Sequence, residues 1–241
     1  MSNAKIFNNF KIHTQYSICE GAIKIDDLAN YCKDNRIPNI GICDSYNLCG
    51  ALEFAEKVSK SGTQPIVGTQ INFFLDNILG RLSLFATSSL GYKNLIKLSS
   101  KSYLESDEKN DPHCKMSVFK NISKDLILLS GNHYGLFGKL FKLNKLKKIE
   151  ESINELKNIF KDRFYFEIQR HNEPGEENYE NFIIELSAKY QIPLIKYELI
   201  SSDEITFSVI SPLILILELT IESILARFNF FSGRNWSLFA L

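Results

Sequence analysis

The chain has 241 residues, 44% of them hydrophobic and 23% charged, enough to bury one large core or two small ones. Lysine plus arginine and aspartate plus glutamate balance at 28 each, so no global basic field draws in nucleic acid. The five cysteines, Cys19, Cys32, Cys43, Cys49 and Cys114, form no CxxC pair; this argues against a zinc knuckle and predicts free, mostly buried thiols in a reducing cytoplasm.

Residues 1–10 carry one lysine and no apolar run, so they do not read as a secretory signal. A short strand is expected at 10–13. A helix is expected over 24–35, with Ile25, Leu28, Ala29 and Cys32 at the spacing of one face and Pro38 beyond its end. Residues 40–43 read as a strand, 48–60 as a helix closed by Gly62, and 65–74 as a strand. Strands are then expected at 81–86, 126–129, 164–169 and 192–195, and helices at 91–104, 147–160 and 176–190, with an exposed loop at 106–112. Repeated βα units predict a parallel sheet or barrel with helices outside, whose ligand sites gather at the C-terminal ends of the strands.

The composition changes near Lys196. None of the 22 lysines lies beyond it, and the βα rhythm stops there. The longest uncharged apolar run beyond Lys196, 205–217, is shorter than the about 20 residues of a membrane-spanning helix. It reads as a buried helix or as non-native sequence produced by a change of reading frame. No G-x-G-x-x-G fingerprint and no P-loop occurs, so nothing points to a nicotinamide, flavin or ATP site.

Two stretches carry a resemblance. The first is Phe10-Lys-Ile-His-Thr-Gln-Tyr-Ser-Ile-Cys-Glu-Gly21. The second is Ile40-Gly-Ile-Cys-Asp-Ser-Tyr-Asn-Leu-Cys-Gly-Ala-Leu-Glu-Phe54, leading to Gln64-Pro-Ile-Val-Gly68. Further segments come in order: Leu82-Ser-Leu-Phe-Ala86, Gly91-Tyr-Lys-Asn-Leu95, Leu126-Ile-Leu-Leu-Ser-Gly131, Phe164-Tyr-Phe-Glu-Ile-Gln-Arg-His171 and Ile192-Pro-Leu-Ile195. Together they resemble the PHP (polymerase and histidinol phosphatase) domain that opens bacterial DNA polymerase III alpha subunits. The resemblance implies an α/β fold, a distorted (β/α)7 PHP barrel, here expected to be incomplete at its C-terminal end. Residues 1–196 would form the PHP domain and 197–241 a divergent apolar tail.

A working PHP site is a cluster of His, Asp and Glu at the strand ends that holds divalent metals, which activate water and neutralise phosphate oxygens. This sequence departs from the family pattern at most of those positions. Lys11 stands for the first His of H-x-H, whereas His13 keeps the second. Glu20 keeps an acid before Gly21. Asp44 is kept, but Ser45 replaces the following His. Gln70 replaces a Glu, Arg81 a His and Asn132 a Cys, and Lys196-Tyr-Glu-Leu199 supplies no final Asp or His. Only His13, Glu20 and Asp44 remain as possible ligands, and Lys11 and Arg81 would repel a metal from the same pocket. No bound metal, no other cofactor and no hydrolase activity are therefore expected. Instead, Lys11 or Arg81 is expected to form charge-assisted hydrogen bonds with Glu20 or Asp44.

Other residues have plainer readings. Asp44, ahead of Ser45, Tyr46 and Asn47, is expected to cap the helix from Leu48. Lys142, Lys145, Lys147 and Lys148 read as a solvated helix face. His113 and Cys114 do not make a nucleophile pair, and His133 and His171 read as surface or packing residues. The resemblance implies a cytoplasmic, non-catalytic module of the replicative polymerase. Its partners would be other holoenzyme parts, above all the proofreading exonuclease subunit; DNA would be reached only through domains outside this chain, and no membrane is involved. The competing reading is a free-standing metal-dependent PHP phosphoesterase.

Overall fold

The computed structural model describes residues 9–106, 110–170 and 173–197. The elements run α1 (Ile25–Asp34), β1 (Asn39–Ser45), α2 (Ala51–Lys60), β2 (Gln64–Leu75), β3 (Ile78–Ala86), α3 (Ser89–Leu104) and β4 (His113–Lys115). After a 3-10 turn at Met116–Lys120 come β5 (Leu126–Leu129), α4 (Leu136–Lys142), α5 (Leu146–Phe160), β6 (Phe164–Gln169), α6 (Glu176–Tyr190) and β7 (Leu194–Tyr197). The expected tail beyond Lys196, Tyr197 excepted, lies outside the described residues, as do His171 and part of the expected 106–112 loop. Among the described residues, no helix is long and apolar enough to cross a membrane.

The strands form one curled sheet, an incomplete barrel, in the order β1-β2-β3-β5-β6-β7, with β4 paired to β2. Side chains alternate across it with the period of two that a strand dictates. Phe10, Cys43, Ile66, Phe85, Ile127, Leu129, Tyr165 and Ile195 fill the concave interior as one cluster. Their neighbours Leu84, Leu126, Leu128, Phe164 and Phe166 point the other way and pack under α3, α5 and α6 with Leu95, Leu98, Ile153, Leu156 and Ile183. Ile40 and Ile42 do the same beneath α1 and α2, against Leu28, Cys32, Phe54 and Val58. β1 and β5 are buried throughout; β5 accordingly reads as a continuous apolar run, whereas β1 also buries Asn39, Asp44 and Ser45.

The expected parallel pairing holds for β1–β2, β5–β6 and β6–β7 and fails at β3, which is antiparallel to both β2 and β5. No helix separates β2 from β3. Asp76 and Asn77, at φ 52° and 61°, make a two-residue hairpin turn whose left-handed twist both residue types tolerate. The short helix α4 and the strand β4 also lie outside the sequence reading. α4 is built on Leu136, Phe137 and Leu140, all buried, behind Gly135.

The first strand is less regular than expected. It meets β1 through one parallel bridge, Ile12 to Ile42, and through Gly41 N–H to Asn9 O and Cys43 N–H to Ile12 O, both 2.8 Å. The approach is close because residue 41 has no side chain: a Cβ there would lie 2.5 Å from the Phe10 carbonyl oxygen. Gly41→Ala is expected to cost about 2 kcal/mol, as overpacking of a tight contact does. Urea unfolding would measure it, with loosened hydrogen-exchange protection confined to residues 9–14 and β1.

Candidate functional site

The loop between Thr14 and Ile23 crosses the C-terminal end of β1, and Asp44 anchors it. Asp44 is 1% exposed and accepts from Thr14 N–H (2.6 Å), Thr14 Oγ1–H (2.8 Å) and Ser17 Oγ–H (2.6 Å). It does not cap α2, contrary to its expected role: that helix starts later, at Ala51, behind Gly50, with no side-chain cap. The carboxylate is turned inward to the loop, where three donors converge on a charge that burial would otherwise strand. Asn47 takes over the turn instead, accepting from Cys49 N–H at 3.0 Å and donating to the Tyr16 carbonyl at 2.9 Å.

Arg81, on β3, pairs with Glu20 of the loop: Nη2 lies 2.6 Å from Oε1. The other oxygen of Glu20 accepts from Ser45 Oγ–H. Burial pushes the Glu20 carboxyl up, but the Arg81 and Ser45 hydrogen bonds more than offset it and hold it below the usual carboxylate range. Arg81 is itself positioned by Tyr46, whose hydroxyl accepts from Arg81 Nε (3.0 Å) and Asn72 Nδ2 (3.0 Å), and whose ring lies 5.1 Å from the guanidinium. Tyr46 adopts φ 65°, strained for an aromatic residue, in the turn that brings its ring there.

Lys11 goes elsewhere than expected. Its ammonium lies 2.6 Å from Glu167 Oε1 on β6, with the two side chains 7% and 0% exposed. Arg81 and Glu20 form one of the pairs expected, whereas Lys11 finds Glu167, an acid that the Phe164–His171 segment contained without an assigned role. The signal for Glu167 was a lone carboxylate between Phe166 and Ile168 in a strand buried on both faces. Such an acid requires a counter-ion. The other oxygen, Glu167 Oε2, is buried without a hydrogen-bond partner among the described residues.

His13 stands between the two cations. Gln70 Nε2 lies 3.2 Å from its Nε2, and Ser17 Oγ lies 3.3 Å from its Nδ1. The Gln70 amide donates, so Nε2 accepts and the proton sits on Nδ1, an assignment that rests on the hydrogen-bond network. Burial lowers the His13 pKa first and Lys11 and Arg81 lower it further, while Glu20 and Asp44 oppose them; the net shift is downward from 6.5. The folded state therefore resists a proton that the unfolded chain accepts. The His13 contribution is whole above about pH 6.5 and is lost as the pH falls below it. The unfolding midpoint in urea should drop between neutral and mildly acid pH, and less steeply in His13→Gln.

Six of the eight predicted positions, His13, Glu20, Asp44, Ser45, Gln70 and Arg81, are linked by hydrogen bonds, partly through Ser17, around the end of β1, and Lys11 is tied to β6 instead. Asn132 is set apart, donating to Gln169 Oε1, two residues along β6 from Glu167. On the expected lysine face, Lys145 pairs with Asp76 and Lys148 with Glu151, and Lys142 lies over the Tyr134 ring at 4.4 Å. His133 is buried against Tyr134 and Tyr179. Of the five thiols, Cys32, Cys43 and Cys114 are buried and Cys19 and Cys49 exposed, all free.

The remaining donors do not make a coordination shell for a divalent ion. His13 Nε2, both Glu20 oxygens and both Asp44 oxygens are engaged by protein donors, and two side-chain cations stand beside them. Among the described residues, no group of three His, Cys, Asp or Glu is placed to hold a metal ion.

Fold and site together define an incomplete α/β barrel whose mouth carries a polar network. Residues 9–171 match the PHP domain, and the chain belongs to that family. It is 34% identical over 197 residues to the DNA polymerase III subunit alpha of Buchnera aphidicola, covering 80% of this chain and 17% of that protein. The subunits from Rickettsia felis (34% over 190 residues; 78% and 16% covered) and Aquifex aeolicus (32% over 208 residues; 80% and 18% covered) are similar. The chain thus spans about a sixth of the length of these curated relatives. Among solved structures, a protein from Bifidobacterium adolescentis, provisionally assigned as a metal-dependent phosphoesterase, superposes with TM-score 0.56 at 10% identity, over 91% of this chain and 96% of that one. An amidohydrolase from Chromobacterium violaceum gives TM-score 0.52 at 7% identity, over 88% and 96%. At these identities the likeness speaks for the fold alone.

Proposed function

We propose that this chain is a non-catalytic PHP module of a replicative DNA polymerase III alpha subunit, acting in the cytoplasm as a structural unit and a docking platform for the proofreading exonuclease. The observation that carries this reading is the pair of ion pairs at the barrel mouth, Arg81 to Glu20 and Lys11 to Glu167, with His13 held by Gln70 between them. Hydrolysis of a phosphate ester requires a Lewis acid or an activated water at the strand ends. Here Glu20 and Glu167 are paired with side-chain cations, and Asp44 is held by three neutral donors. The loop is pinned by direct hydrogen bonds, so the module needs no metal to hold its shape. Polymerisation and DNA contact belong, in this reading, to parts of the polymerase outside this chain.

The competing reading, a metal-dependent PHP phosphoesterase, draws on the fold likeness to the Bifidobacterium protein. One preparation separates the two. The purified chain should carry substoichiometric zinc, manganese and iron, release no phosphate from p-nitrophenyl phosphate with added manganese, and co-elute with the source organism's exonuclease subunit. Stoichiometric metal together with hydrolysis would replace the first reading with the second, and failure to co-elute would remove the docking role.

A further inference from the structure

A cavity of about 290 Å³ opens away from the barrel mouth, between the C-terminal end of α3, β4 and the adjoining 3-10 turn. Its volume lies near the lower limit of small-molecule sites, about 300 Å³. The inner wall is apolar, formed by Cys114, Val118 and Ile122, of which Cys114 and Ile122 are buried. The rim is made of donors. The side chains of Lys115, Ser117 and Asn121 line the opening and form no ion pair or hydrogen bond among the described residues. His113, 7% exposed, also lines the cavity: its Nδ1 donates to the Asp111 carbonyl at 2.8 Å, which leaves Nε2 without a partner among the described residues. Lys101 adds a second ammonium, shared with Glu105, so among the described residues the lining carries two positive charges against one negative.

We infer that this cavity binds a small phosphomonoester, with its phosphate at the rim and its organic body against Val118 and Ile122. The spread of donors over several side chains favours a tetrahedral acceptor. The Lys115 ammonium offers three N–H groups, Asn121 two and Ser117 one, on separate side chains; a carboxylate presents about four lone-pair sites in one plane, whereas the three terminal oxygens of a phosphate accept from around a tetrahedron. The apolar wall rewards an attached organic group, which inorganic phosphate lacks. Apart from the lysines these donors are neutral, so recognition depends on their placement as well as on charge. The cavity shares no residue with the mouth, and the inference stands whether or not the chain serves a polymerase.

The test is a titration of the ¹⁵N-labelled full chain with phenyl phosphate, inorganic phosphate, benzoate and phenol. Saturable shifts confined to His113–Ile122 and the end of α3 are expected with phenyl phosphate, which should bind about tenfold more tightly than inorganic phosphate or benzoate. Lys115→Gln and Asn121→Asp, both at exposed positions, should each weaken phenyl phosphate about tenfold and leave the unfolding midpoint unchanged. Equal binding of benzoate would overturn the assignment to phosphate, and equal binding of inorganic phosphate would remove the role of the apolar wall. Unsaturated shifts spread over the surface lysines, or indifference to both substitutions, would remove the site.

Discussion

Lys11→Met is expected to lower the unfolding free energy by about 3–5 kcal/mol, because it leaves the Glu167 carboxylate buried without its counter-charge. The penalty arises from the stranded ion more than from the lost attraction. The double replacement of Lys11 by Met and Glu167 by Leu should therefore recover most of the stability, since two apolar side chains of similar volume would meet beside Cys43 and Tyr165 in the barrel interior. Urea unfolding of wild type, both single variants and the double variant would form a complete cycle. A Lys11→Met protein as stable as wild type would show that the pair is solvated and that Lys11 is not what ties the first strand to β6.

Asp44→Ala is the second large effect, on the order of 4 kcal/mol. One substitution removes the acceptor of three hydrogen bonds to a charged group, each worth about 1.5–3 kcal/mol and not additive. Thr14 N–H and the Ser17 hydroxyl would be left in a buried setting with nothing to accept them. Asp44→Asn keeps one acceptor oxygen and should lose about half as much. Hydrogen exchange at the Thr14 and Ser45 amides would separate local release of the loop from global loss. If the role were a helix cap, exchange would quicken in the first turn of α2, not in the loop.

These two residues show how far the chain could be read without its fold. Asp44 stood out from the Ile40–Asp44 run as a retained acid, and its neighbours Ser45, Tyr46 and Asn47 pointed to a helix cap. Ser17, 27 residues earlier, belonged to the motif yet gained a role only when the loop brought its hydroxyl 2.6 Å from the carboxylate. Lys11 was identified as a cation in a metal position. Its partner, 156 residues away, lay in the Phe164–His171 segment, but nothing in that segment linked it to Lys11. Tyr46 could not be linked to Arg81 either, because only the positive φ at that turn aims the ring at the guanidinium.

The elements themselves were legible wherever hydrophobic spacing was regular. β5 and β6 fall at their expected bounds, as does α6, and the face of α1 buries Ile25, Leu28 and Cys32 as predicted, whereas α2, with an expected face of Leu48, Leu52, Ala55 and Val58, buries Ala51, Phe54 and Val58 and leaves Leu52 exposed. Such spacing is a local property: each strand or helix declares its period through which side chains alternate between water and core. The PHP family was legible for a related reason, since its motifs are short runs whose order survives along the chain. The direction of β3 and the pairing of Lys11 with Glu167 were decided by tertiary structure alone. Those depend on contacts between residues distant in sequence, and the energy of a buried ion depends on which opposite charge lies within hydrogen-bond reach. Spacing along a chain does not encode that distance.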